Sequence, residues 1–160
     1  MNHAKRLTYS GLFAALIMVS TAYLKFPTTL GYIHLGDGVI FLSSAVLGPY
    51  AGLCAGVGSA LADLLAGYTL YAPVTFAIKG IMGAAAGYFL LKKRPAFLSK
   101  LLLLLLLEGF MVLGYLVFEA VLYGFEAALS SALFNCIQGA AGVLIGLIAI
   151  HTVPGTILHQ

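Results

Sequence analysis

Asp37, Asp63, Lys79, Glu119, Asn135 and Gln138 stand in stretches that are otherwise hydrocarbon, glycine and alanine. An ionisable side chain inside an apolar segment is costly unless it faces a protein interior or a wet cavity, so each is a functional candidate. Asn135 and Gln138 lie three residues apart on one helical face, with Ser131 one turn away. A primary amide offers a donor and an acceptor without charge, which suits the edge of a heteroaromatic ring; an interhelical hydrogen bond is the plainer use. Asp63 and Lys79 have opposite charges and are expected to form a partly buried, structural ion pair, although Lys79 is also a candidate ligand contact. Glu119 has no assigned cation, so it is a candidate ligand contact too. Asp37 follows a glycine at a helix start, where a carboxylate is expected to cap free backbone amides. Tyr32, His34 and Tyr115 complete the candidate contacts. Tyr68, Tyr71 and Tyr123 lie nearby, and with no tryptophan in the chain any stacking must come from tyrosine or phenylalanine.

Other chemistry is excluded by what these residues are not. There is no GxxxxGK[ST] phosphate loop, no HExxH and no GxSxG, and His3, His34, His151 and His159 all fall near element ends or loops. Cys54 and Cys136 sit in apolar runs without metal-ligand spacing, so neither a disulfide nor a metal is expected, and both are read as small buried side chains. The expected class is not an enzyme, and no cofactor is expected in the chain itself.

The elements that must position these residues are membrane helices. The chain has 160 residues, 62% hydrophobic and only 8% charged. Its mean hydropathy is +1.07. That composition belongs to an integral membrane protein and leaves no room for a soluble catalytic or nucleic-acid-binding domain. Residues 1–160 read as one all-α domain, a bundle of six transmembrane helices at 7–24, 37–48, 50–67, 73–91, 101–124 and 127–150. The second run is short for a full span. Lys5, Arg6, Lys92, Lys93, Arg94 and Lys100 fall on one side of this threading and only Lys25 on the other, so both termini are expected in the cytoplasm. Asp37 then opens the second helix at the outer surface, and Asp63, Lys79 and Glu119 lie within about two turns of the outer end. Asn135 and Gln138 sit somewhat deeper. Glu108 falls in the inner half of its helix, apart from the rest.

Small residues recur at four-residue spacing: Gly52, Gly56 and Ala60; Gly83 and Gly87; Gly142 and Gly146. Such stripes let helices approach closely in lipid. Gly11 and Ala15 on the first helix form a similar smooth patch toward the cytoplasmic side.

The stretch Gly31-Tyr32-Ile33-His34-Leu35-Gly36-Asp37 is followed by Leu47-Gly48-Pro49, Gly58-Ser59-Ala60-Leu61-Ala62-Asp63-Leu64, Tyr71-Ala72-Pro73 and Ile78-Lys79-Gly80. Together with Asn135-x-x-Gln138, this series resembles the substrate-binding S components of energy-coupling factor (ECF) vitamin importers, in their riboflavin-transporter-like branch. The resemblance implies a multi-pass cell-membrane protein that binds a vitamin near its outer face. It implies docking through Gly11 and Ala15 on a transmembrane coupling subunit, with ATP consumed by two cytoplasmic ATPases. Riboflavin-binding members have a last-helix motif similar to Asn-x-x-Lys, whereas Gln138 stands in the lysine place here. The expected ligand is therefore a smaller hydroxymethylated heteroaromatic, a vitamin B6 form or a hydroxymethylpyrimidine, with riboflavin as the alternative. Readings of a different class are a small proton-coupled carrier and a non-transporting membrane scaffold.

Overall fold

A computed structural model describes residues 2–28, 30–93 and 96–152, with the side chains of Lys92 and Lys93 excepted. Arg94 and Pro95, in the basic linker, and Thr29 lie outside the described residues. Six α-helices make up the described fold: α1 His3–Tyr23, α2 Gly36–Leu47, α3 Ala51–Ala66, α4 Ala72–Lys93, α5 Phe97–Tyr123 and α6 Phe125–Thr152. Four segments are long and apolar enough to cross a membrane, namely Gly36–Ala66, Ala72–Leu91, Phe97–Tyr123 and Phe125–Thr152. The first of these is not one straight helix. Gly48 takes φ +61°, and with Pro49 it makes a one-turn 3-10 break that folds α2 back against α3. At 12 residues, α2 is about 18 Å long and spans only part of a bilayer core.

Packing fixes the direction of each helix. Gly48 lies against Gly87, and Ser44 Oγ donates to the Gly83 carbonyl at 3.1 Å, so α2 and α4 run parallel. Gly52 meets Gly80 and Ala84 while Gly56 meets Phe76, so α3 runs antiparallel to α4. Arg6 sits over the Tyr50 ring and Ala14 against Gly58, which makes α1 parallel to α3. In α5 and α6, Glu119 meets Ser131 and Glu108 meets Gly139, so these two are antiparallel. One end of the bundle therefore gathers Lys5, Arg6, the α2–α3 turn and Lys100, and the other gathers the loops after α1, α3 and α5.

The interior mixes large apolar side chains such as Phe41, Met82, Leu104 and Met111 with small and polar ones, while leucines such as Leu12, Leu106, Leu113, Leu133 and Leu144 point outward. An apolar exterior is what lipid demands, since the surroundings are as apolar as the core and close backbone contact holds the helices. Gly87 is the tightest case: a Cβ there would overlap the Gly48 carbonyl. Cys54 is buried, whereas Cys136 is exposed on the outer face of α6, contrary to the reading of both as buried.

The segment after α1, read from sequence as a simple helix break, forms an antiparallel hairpin. Strand β1 (Lys25–Pro27) pairs with β2 (Tyr32–His34), with Lys25 opposite His34 and Pro27 opposite Tyr32. The β-type residues Phe26, Tyr32 and Ile33 account for the strands, and Thr28 N–H donates to the Gly31 carbonyl at 2.9 Å to close the turn.

Candidate functional site

A cleft of about 470 Å³, counting the part open to solvent, lies at the hairpin end of the bundle. The hairpin contributes Thr28, Gly31, Tyr32 and His34; α3 contributes Asp63; the α3–α4 connection and α4 contribute Tyr68, Tyr71 and Thr75. Tyr115 and Glu119 come from α5, and Ser131, Asn135 and Gln138 from α6.

Its aromatic wall is continuous. Ring centroids are 5.1 Å apart between Tyr32 and Tyr68, 6.0 Å between Tyr68 and Tyr71, and 6.5 Å between Tyr71 and Tyr115. The hydroxyls on this wall are turned toward acceptors: Tyr32 donates to Asp63 Oδ1 at 2.7 Å and Tyr71 to Glu119 Oε1 at 3.1 Å. Ser131 also donates to Glu119 Oε1, at 3.0 Å, and Thr75 and Tyr115 share a 2.9 Å hydrogen bond. Burial and the neighbouring Asp63 charge push the Tyr32 phenol well above its ordinary value, so it stays protonated and donating.

Behind the cleft lies a second polar layer. Lys79 Nζ and Asp37 Oδ1 form an ion pair at 2.6 Å with both side chains fully buried. Gln138 Nε2 donates to Asp37 Oδ2 at 2.7 Å, and Gln138 Oε1 accepts from the His34 backbone N–H at 3.1 Å. Gln138 is thus a strut that ties α6 to α2 and to the hairpin. His34 Nδ1 accepts from the Gly36 N–H at 3.1 Å, and burial pulls its pKa down to about 4, so the ring is neutral with its proton on Nε2.

Of the sequence candidates, Tyr32, His34, Tyr115, Glu119, Asn135 and Gln138 line the cleft, and Lys79 does not. The expected Asp63–Lys79 pair is corrected: Lys79 is bound to Asp37, while Asp63 faces the cleft beside Tyr32. Asp37 is corrected as well. It occupies the first turn of α2 but makes no cap, being drawn inward by Lys79 and Gln138. Glu108, expected to stand apart, packs against Gly139 and Gly142 of α6, and Gly142 also touches Asp37. Neither Glu108 oxygen has a hydrogen-bond partner. Thr28, Gly31 and Thr75 were not anticipated on the cleft wall. Thr75 had a usable signal, lying one turn before Lys79 on the same face.

Gly11 and Ala15 are both exposed on α1, and a Cβ added at Gly11 would meet nothing within 4 Å. Phe13 and Ile17 on the opposite face carry the packing of α1 onto α2 and α3.

The model of the family described as ECF-type riboflavin transporter, S component, matches residues 1–154. A Pyrococcus woesei protein described as "Uncharacterized protein in gap 3'region" is 38% identical over 122 residues, covering 75% of this chain and 80% of that protein.

Proposed function

The chain belongs to the ECF-type riboflavin transporter S-component family, and from that premise we propose that it captures a small hydroxymethylated heteroaromatic vitamin or precursor at the outer side of the membrane. The family makes it a multi-pass membrane protein and the substrate-binding subunit of an ECF transporter, not an enzyme. The finer reading is a single domain of six membrane helices with both termini cytoplasmic. It is supported by Lys5, Arg6 and Lys100 gathering at one end of the bundle, against Lys25 at the hairpin end. The cleft then opens outward.

The observation that carries the reading is this cleft, which joins an aromatic wall to Asn135, Glu119 and Asp63. Rings stack on the tyrosines while the polar groups fix orientation. Asn135 is the amide best placed to read the ring edge, because Gln138 already spends both ends of its amide on protein partners. The ligand is a vitamin B6 form or a hydroxymethylpyrimidine; riboflavin is the second reading, favoured by the family's own description. Partners are the transmembrane coupling subunit, meeting the Gly11–Ala15 face, and two ATPases that consume ATP; this chain carries no cofactor of its own.

Native mass spectrometry of the protein as purified identifies a tightly held vitamin directly. Calorimetric titration then compares wild type with Asn135→Ala, which is expected to weaken binding by about 1–3 kcal/mol without lowering the melting temperature. Unchanged affinity would remove Asn135 from the site. Uptake in reconstituted vesicles that proceeds without ATP would point instead to a proton-coupled carrier.

A further inference from the structure

We propose that the ligand of this cleft carries a protonated amine, and that Asp63 and Glu119 recognise its charge from two sides of the site. The proposal rests on the vitamin-binding reading above and narrows its substrate class.

Asp63 is 6% exposed and Glu119 3% exposed, and both line the cleft. Each is half satisfied. Hydroxyl donors occupy Asp63 Oδ1 and Glu119 Oε1, whereas Asp63 Oδ2 and Glu119 Oε2 are closed off from solvent and have no hydrogen-bond partner. The Thr75 hydroxyl lies next to Asp63 and shares a hydrogen bond with Tyr115 in which either oxygen can donate, but it makes no hydrogen bond to Asp63 Oδ2. A carboxylate removed from water needs donors on both oxygens or a counter-charge, and the protein supplies neither in full.

The neighbouring cations are committed elsewhere. Lys79 is held by Asp37, and Lys25 lies over the Tyr32 ring at 4.9 Å, on the hairpin. Among the described residues no lysine or arginine lines the cleft. Because Tyr32, Tyr71 and Ser131 spend their protons on the carboxylates, the groups they leave facing a ligand are lone pairs. No protein donor meets Asp63 Oδ2 or Glu119 Oε2, so donors to these two oxygens must come from the ligand. An ammonium brings three donors and a positive charge, and tyrosine faces around it add attraction for a cation. A ligand hydroxyl brings one donor and no charge, so it leaves the second carboxylate uncompensated.

The test uses the full chain in detergent, stripped of bound ligand, and a matched pair of probes. Pyridoxamine and pyridoxine differ only in an aminomethyl group against a hydroxymethyl group. Pyridoxamine is expected to bind about tenfold tighter, the margin of a charge-assisted over a neutral hydrogen bond. Glu119→Gln and Asp63→Asn keep side-chain shape and remove charge, so each should shrink that preference. Equal affinity of the two probes, or a preference unchanged in both variants, overturns the proposal. The wild-type comparison decides even if a variant fails to fold. Riboflavin binding more tightly than both pyridines overturns the amine and leaves the transport role standing. Binding of none of the three, with no vitamin in the native mass spectrum, overturns the vitamin-binding reading and this proposal together.

Discussion

At the scale of single residues, the energetics concentrate in Asp37, Lys79 and Gln138, buried together behind the cleft. Removing one partner of a buried pair leaves an uncompensated charge, so Lys79→Met should cost about 3–5 kcal/mol of stability. Adding Asp37→Asn to it should cost less than the sum of the single changes, while Asp63→Asn should add to Lys79→Met with little coupling. Thermal melts of both double-mutant cycles in detergent measure this, and coupling in the Asp63 cycle instead would contradict the observed pairing. His34 gives a pH signature. Its folded pKa of about 4 lies below the ordinary histidine value of 6.5, so the unfolded chain binds the extra proton between those values. Its contribution is therefore present above the unfolded pKa and is lost as pH falls toward 4. Acidification to pH 5 should cost roughly 2 kcal/mol through this residue. His34→Gln should flatten the difference between melts at pH 7 and pH 5; an unchanged difference would show that His34 titrates normally.

Helices in this bundle meet through absent side chains. At Gly87 a Cβ would overlap the Gly48 carbonyl, at a point where the α2–α3 turn is itself held by a positive φ. Backbone cannot yield as a flexible side chain does, so Gly87→Ala should destabilise by about 1–3 kcal/mol or more. Gly109, on the exposed side of α5, has nothing within 4 Å of the same added atom. There the better helix propensity of alanine prevails, and Gly109→Ala should be neutral or stabilising by up to about 1 kcal/mol. Paired melting curves of the two variants check the contrast, and similar gains in both would mean that propensity, not packing, governs these glycines. The hairpin acts at the same scale. By offering the His34 N–H to Gln138 it fixes the cleft rim to α6.

For the whole molecule, the proposed docking face on α1 is distinct from the cleft. The cleft lies at the hairpin end, whereas Gly11 and Ala15 lie on the exposed face of α1 in its middle third. A leucine at Gly11 has open space around it, so Gly11→Leu and Ala15→Leu should leave folding and vitamin affinity near wild type. A close helix crossing with a coupling subunit would be blocked, and uptake should collapse. Co-purification with the coupling module, run beside vesicle uptake, tests this. Normal assembly and transport in both variants would place the docking surface elsewhere.

The sequence by itself determined the membrane class, the positions of the helices and the concentration of basic residues at one end. These follow from hydropathy, from breakers such as Pro49 and from counting charges, all of which are local. Depth along a helix was also legible, since each residue advances a fixed rise, and so Tyr32, His34, Tyr115, Glu119, Asn135 and Gln138 could be grouped before they were seen on one cleft. What only the tertiary structure decided was partnership. Asp63 and Lys79 matched in charge and depth, yet Lys79 reaches Asp37, because α2 is short and its first turn is drawn into the bundle beside α4 and α6. Which neighbour a side chain meets depends on the rotation of each helix about its axis and on which helices adjoin. Both are set by close packing at glycines such as Gly48, Gly87 and Gly142, whose contacts lie far apart along the chain.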